Sequence, residues 1–277
     1  MNWLIIDKII LEALGEDIPA DDITTNAVIN ADSIAKIDLI AKETGILAGL
    51  EIFERVFYLL GDVKIDFYKK DGDKVGPKML IGILNGNTRK LLMGERVALN
   101  FLQRMSGIAT ITQKYVNQLA STSAKILDTR KTTPNMRILE KYSVKVGGGE
   151  NHRFNLSDGV LLKDNHISAA GGIKNAVEAT RKAVSFVRKI EVEVENLEMV
   201  KEALDAKADI IMLDNMNIDT MKEALALINK TVLTEASGNM NLETIKDIAE
   251  IGIDYISVGA LTHSAKVLDL SMKNLRY

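Results

Sequence analysis

The 277-residue chain contains no cysteine. Disulfides and thiolate metal sites are therefore excluded, and the composition is compatible with a cytosol. An excess of positive charge is missing too: 35 Lys and Arg stand against 38 Asp and Glu, a formal net charge of -3. A nucleic-acid-binding domain normally spreads a basic surplus over one face, so any positive site here must be local. Long apolar runs are also absent. The opening MNWLIIDKIILEALGED carries Asp7, Lys8 and Glu12 within its hydrophobic stretch, which makes an amphipathic helix rather than a signal peptide or a membrane span. A cytoplasmic protein is expected, with neither membrane nor nucleic acid as partner. Histidine is scarce, three in all. His152 and His166 have no His-x-x-x-His spacing and no third ligand that would mark a zinc site.

What is present is an ordinary globular composition, 47% hydrophobic and 26% charged, long enough for one large or two medium domains. Residues 34–42, IAKIDLIAK, alternate apolar with polar as a half-buried strand does, whereas LEIFERVFYLLG from Leu50 has helical spacing. DGDKVGPKMLIGILNGN then places turn signals around short apolar runs. This is the pattern of an α+β unit. From Glu95 to Ala120 the apolar residues return at helical intervals, forming a long connector. The expected organisation is an N-terminal α+β domain over 1–106, an α/β domain over 107–264 with the boundary near Gly107, and a C-terminal segment, 265–277, returning to the first domain.

The second half has a rhythm. AKILDTRK, GVLLKDNH, IEVEVEN, DIIMLDN, TVLTEASG and DYISVGAL each join a short apolar strand to a polar or glycine cluster, and amphipathic helices such as KNAVEATRKAVSFVRK and LEMVKEALDAKA separate most of them. The later strands recur about once per βα unit, which implies parallel strands with right-handed crossovers. Polar clusters at the carboxyl ends of all these strands favour a (β/α) barrel over a doubly wound sheet, which would concentrate them at one switch point. With six or seven strands visible, the expected fold is an open or irregular barrel.

In such a barrel the strand ends converge on one site with two poles. Arg130, Lys131 and Lys163 bring positive charge, joined by His152 and Arg153; Glu193, Glu195 and Asp214 bring negative charge; Ser237, Gly238, Gly259 and Ala260 bring small residues. The cationic pole suits a small substrate with several negative charges. The carboxylates suit Mg²⁺ or sugar hydroxyls, and the glycine-lined loops suit a phosphate. Arg137, Lys141 and Lys145 are assigned to a surface helix, and the charges from Lys182 to Lys189 to a solvated face.

The motifs DTRKTTP, KVGGGENHRFNLSDGVLLKDNH, EVEVEN, LDNM, EASG and VGALTHS, together with GEDIPADDITT and ERVALNFLQRMSGIAT, cover nearly the whole chain. In this order and at these spacings they closely resemble the quinolinate phosphoribosyltransferase family. One departure is Asn239, where many members carry a second glycine. The resemblance implies that quinolinate attacks C1 of 5-phosphoribosyl 1-pyrophosphate, pyrophosphate leaves, and the adduct loses CO₂ to give nicotinate mononucleotide. It implies a quinolinate site of Arg130, Lys131, His152, Arg153 and Lys163, with Arg96 reaching in from a neighbouring subunit of a homodimer or dimer-based hexamer. Glu193 and Asp214 match the carboxylates near the ribose and Mg²⁺. Ser237, Gly238, Asn239, Val258, Gly259 and Ala260 match the phosphate-binding segments. No organic cofactor is implied.

Three other readings compete. Nicotinate phosphoribosyltransferase takes a substrate with one carboxylate, and the number of cations here argues against it. A pyrophosphorylase-like branch associated with molybdenum transport shares the architecture and is separable by assay with quinolinate. DGDKVGPKMLIGILNG resembles half of a lipoyl or biotinyl carrier, but Lys78 before Met79 is not in the usual setting of a modifiable lysine.

Overall fold

The computed structural model describes residues 2–277. The chain begins with α1 (Trp3–Asp17), α2 (Ile23–Val28), β1 (Ile34–Ala41), β2 (Gly45–Ile46), α3 (Leu50–Leu60), β3 (Val63–Phe67), β4 (Lys74–Val75), β5 (Leu80–Asn87) and α4 (Thr88–Gln118). It continues through β6 (Lys125–Leu127), α5 (Arg137–Val146), β7 (Val160–Leu162), α6 (Asp164–Ala170), α7 (Ile173–Ala183), β8 (Ile190–Val194) and α8 (Leu197–Asp205). The last elements are β9 (Ile210–Asp214), α9 (Ile218–Ile228), β10 (Leu233–Ser237), α10 (Ile245–Glu250), β11 (Tyr255–Ser257), α11 (Ala260–His263) and β12 (Leu270–Arg276). Two compact units emerge: residues 1–113, 133–148 and 264–277 form one, and residues 114–132 and 149–263 the other. Gly107 lies inside α4, which is uninterrupted.

The first unit is built on an antiparallel sheet ordered β12-β1-β5-β3. Alternation in β1 sends Ala35, Ile37, Leu39 and Ala41 inward, where they join Phe53 and Phe57 of α3 in a core that also takes in Leu139 of α5 and Met272 of β12. Lys141, expected at the surface, is 1% exposed. The reason is that α5 is covered on a broad face, Leu139, Glu140, Lys141, Ser143 and Val144 all being buried, while Lys145 alone of the pair is exposed. Glu140 beside it is fully satisfied. It accepts from Arg104 Nε and Nη2 (3.1 and 2.8 Å) and from the Thr133 amide and hydroxyl (3.0 and 2.9 Å).

The second unit is a six-stranded parallel sheet ordered β6-β11-β10-β9-β8-β7, with helices between successive strands from β7 to β11. This is the open barrel the strand rhythm predicts. Among the described residues β6 and β7 do not pair with each other; instead Glu150 makes a single parallel bridge to Leu127, its N–H donating to Ile126 O at 2.8 Å. The segment from Gly149 to Gly159 thus occupies the opening. Successive side chains of a strand point to opposite faces, and this fixes which ones meet inside. Leu161 and Lys163, Glu191 and Glu193, Met212 and Asp214, Glu235 and Ser237 all line the interior, whereas Val192, Val194, Ile211, Leu213 and Ala236 do not line it and are buried.

Candidate active site

A cavity of about 860 Å³ opens at the carboxyl ends of the strands. Arg130 and Lys131 follow β6, Lys163 follows β7, Glu193 and Asp214 lie on β8 and β9, and Ser237 closes β10. Gly238, Asn239, Gly259 and Ala260 complete the rim. Asp214 and Ser237 are register partners, so the carboxylate and the hydroxyl stand on adjacent strands at one level. The Thr262 hydroxyl donates to Lys131 O at 2.8 Å and ties the turn after β6 to α11.

Charge is divided as the two-pole reading requires. Burial pushes the Arg153 guanidinium below its ordinary range, and the like charge of Arg130 adds to the effect, against the pull of Glu191. A pair of cations strained in this way gains from an anion between them. At the other pole, burial pushes the Glu193 carboxyl upward; the Lys163 ammonium, 3.2 Å away, opposes this, and the charges of Asp214 and Asp164 add to it. Glu193 and Asp214 therefore present repelling oxygen ligands to one space.

The loop after β10 needs unusual backbone. Gly238 has φ of 95°, and a Cβ there would run into the Asn215 side chain. Asn239 follows with φ of 50°. This left-handed conformation costs asparagine less than most residues, so Asn239 fits the position without a glycine. Gly259 is confined differently: a Cβ would lie 3.1 Å from the His263 ring and 3.2 Å from Lys131 Cδ.

Two residues expected at the site, Val258 and Glu195, do not line this cavity; nor do Arg96, expected at a neighbouring subunit's site, and His166, which was not a candidate. Val258 is 1% exposed, and its N–H donates to Leu127 O at 2.9 Å, so its amide is engaged in the barrel wall. Glu195 is exposed and lies beyond the end of β8. Arg96 is exposed on α4 and borders a small pocket of the first unit with Glu16 and Asp17. His166 lies on α6, where its Nδ1 accepts from the Lys163 N–H at 3.1 Å. His152 does line the cavity, but its ring is committed below it: Nε2 lies 3.0 Å from Glu191 Oε2 and 3.4 Å from Glu235 Oε2, and Nδ1 accepts from the Arg153 N–H at 2.7 Å. Burial disfavours the imidazolium while the hydrogen bonds and charges of the two glutamates favour it, and the Arg153 N–H directed at Nδ1 leaves that nitrogen without a proton, so the ring is the Nε2–H tautomer. Glu191 and Glu235 were missed in the sequence. The signal was available, since they precede Glu193 and Ser237 by two residues and so share their face.

Comparison with known proteins matches two consecutive family models along the chain. Residues 22–106 match the model of the quinolinate phosphoribosyl transferase N-terminal domain, and residues 108–273 that of the C-terminal domain. A probable nicotinate-nucleotide pyrophosphorylase (carboxylating) of Bacillus subtilis is 45% identical over 98% of this chain and 94% of its own length. The chloroplastic nicotinate-nucleotide pyrophosphorylase (carboxylating) of Arabidopsis thaliana is 43% identical over 97% of this chain and 82% of its own. The crystal structure of NadC from Streptococcus pyogenes superposes with a TM-score of 0.97 at 48% identity, covering 100% of this chain and 98% of that one.

Proposed function

The chain belongs to the quinolinate phosphoribosyltransferase family, and on that premise we propose how its site divides the work. The activity is that of a nicotinate-nucleotide pyrophosphorylase (carboxylating), a glycosyltransferase of NAD biosynthesis. Quinolinate and 5-phosphoribosyl 1-pyrophosphate give nicotinate mononucleotide, pyrophosphate and CO₂. Both substrates are strongly anionic, and the two-pole cavity is the observation that carries the assignment of roles.

Arg130, Arg153 and Lys163 hold the adjacent carboxylates of quinolinate, with His152 beneath them and Lys131 between the quinolinate and pyrophosphate groups. Arg forks and Lys point charges fix a planar dianion in one orientation, so the ring nitrogen faces C1 of the donor. Ser237, Gly238 and Asn239, with Gly259 and Ala260, receive the 5-phosphate. Glu193 and Asp214 fit Mg²⁺ as hard oxygen ligands whose mutual repulsion a divalent ion relieves. When bound, Mg²⁺ supplies charge neutralisation for the pyrophosphate group. The same two carboxylates stabilise positive charge growing at C1. Once C1 is bonded to the ring nitrogen, the positive charge on that nitrogen stabilises the electron pair left on C2 as CO₂ departs, and a proton from solvent takes up that pair to complete nicotinate mononucleotide. Positioning and electrostatics thus carry the reaction, and no organic cofactor is required.

Arg96 is assigned to the site of a second copy, which makes the working unit a homodimer or a dimer-based hexamer. Mixing inactive Arg96→Ala and Arg153→Ala proteins under subunit exchange then restores part of the activity; no recovery sinks the shared site. The central test is direct. Purified protein incubated with quinolinate, the phosphoribosyl donor and Mg²⁺ yields nicotinate mononucleotide and CO₂, and turnover of nicotinate in place of quinolinate would refute the assignment.

A further inference from the structure

Glu235 lines the cavity and Glu191 the adjoining pocket, two carboxylates that the reaction as described leaves unused. Glu191 on β8 is 4% exposed and Glu235 on β10 is 2% exposed. Their Oε2 atoms converge on one point, His152 Nε2, at 3.0 and 3.4 Å. Among the described residues their remaining oxygens, Glu191 Oε1 and Glu235 Oε1, have no hydrogen-bond partner. Two buried carboxylates around one ring N–H form a costly arrangement, and apolar side chains of the same volume would pack at that depth with less penalty.

The other contacts of His152 show what this arrangement holds in place. Its main-chain N–H donates to Asp128 Oδ1 at 2.9 Å, and its Nδ1 accepts the main-chain N–H of Arg153 at 2.7 Å. Arg153 in turn donates from Nη1 to Gly159 O at 3.0 Å. These bonds belong to the segment that occupies the opening of the barrel, where no strand ladder fixes the chain. The imidazole pins this segment to strands on the far side of the opening, β8 and β10.

We propose that Glu191 and Glu235 are positioning residues for recognition of the dicarboxylate substrate: by gripping His152 Nε2 they fix the ring, and through its Nδ1 they set the backbone from which Arg153 reaches the cavity. The inference rests on Arg153 binding a substrate carboxylate. It locates the effect in binding of quinolinate and leaves the donor subsite untouched.

The test replaces Glu235 by methionine, which fills the volume without accepting a hydrogen bond, and by glutamine, whose amide oxygen still accepts from Nε2–H. Glu235→Met raises KM for quinolinate by about 10-fold or more while kcat and KM for the phosphoribosyl donor stay within about 3-fold, and Glu235→Gln returns quinolinate KM to within about 3-fold of the parent. Glu191→Met and Glu191→Gln give the same pattern. With only three histidines in the chain, the His152 ring N–H can also be followed by NMR. Its slowly exchanging signal persists in the glutamine variants and is lost in the double methionine variant. Equal rises in both KM values, or a fall in kcat at unchanged quinolinate KM, overturn the proposal. So does one equivalent of zinc or manganese bound to the parent and lost from the methionine variants, since the ligand atoms of this trio lie within 4.8 Å of one another. Arg153→Ala separates the two levels. Unchanged quinolinate KM in that variant refutes the carboxylate-binding role itself, whereas a raised KM there with normal behaviour of Glu235→Met refutes only the positioning role.

Discussion

Glu140 in the first unit and the pair Glu191 and Glu235 in the second are all almost wholly buried, yet they are solvated by the protein in opposite ways. Glu140 receives two guanidinium N–H groups, an amide and a hydroxyl. The barrel pair shares one imidazole nitrogen and leaves an oxygen of each carboxylate without a partner. A carboxylate with a full set of donors holds its surroundings together, and removing it strands the donors. A carboxylate left short of donors contributes little to holding the fold, so its presence has to be explained by what it positions.

The largest expected effect tests the first half of that contrast. Glu140→Ala leaves the Arg104 guanidinium without its main partner and destabilises the protein by about 3–5 kcal/mol, read from the urea denaturation midpoint. A loss below about 1 kcal/mol would erase the distinction. Next comes the cavity itself. Arg153→Ala costs about 2–5 kcal/mol of substrate binding, visible as a fall of roughly 30-fold or more in kcat/KM for quinolinate with the fold intact. Near-normal turnover at low quinolinate would remove Arg153 from the site. Replacing both Glu193 and Asp214 by alanine falls instead on the phosphoribosyl donor, and unchanged donor kinetics would refute their role at the sugar end.

Smaller effects sharpen the same comparison. Tyr142 donates to Asp71 Oδ2 at 2.8 Å, and burial together with that bond pushes its phenol well above the ordinary range. Tyr142→Phe therefore lowers stability by about 1–2 kcal/mol without altering either KM. At the bottom of the scale stands Glu235→Met, whose urea midpoint corresponds to a change of less than about 1 kcal/mol or to a gain in stability. A loss as large as that of Glu140→Ala would make the barrel pair structural after all.

Much of this was legible before any coordinates, and the parts that were not share a cause. The alternation in IAKIDLIAK becomes β1, LEIFERVFYLLG becomes α3, and the six apolar stretches with polar ends become the six parallel strands. Each of these is a local pattern set by burial of one face. The cavity residues from Arg130 to Ala260 were legible for the same reason, because a strand end in a barrel has one place to go. Lys141 was not: its burial depends on how α5 is covered, and a lysine carries no local sign of that. The helix expected through Lys189 ends at Ala183, where Val184 turns extended and the chain leaves the surface pattern. The engagement of His152 was also hidden, since its partners lie 39 and 83 residues downstream on two separate strands, Glu191 and Glu235.

The alternation along the barrel strands gives the site a parity. In β8 the odd-numbered residues Glu191 and Glu193 meet the interior, and in β9 the even-numbered Met212 and Asp214 do. A frame-preserving loss or gain of one residue within either strand would turn its carboxylates toward the helices and its valines or leucines toward the substrates, with every residue type still present. A change of two would restore the facing and shift the level. Natural length variation in such a chain is thereby directed to the helices and turns, and the strands inherit their spacing as strictly as their side chains.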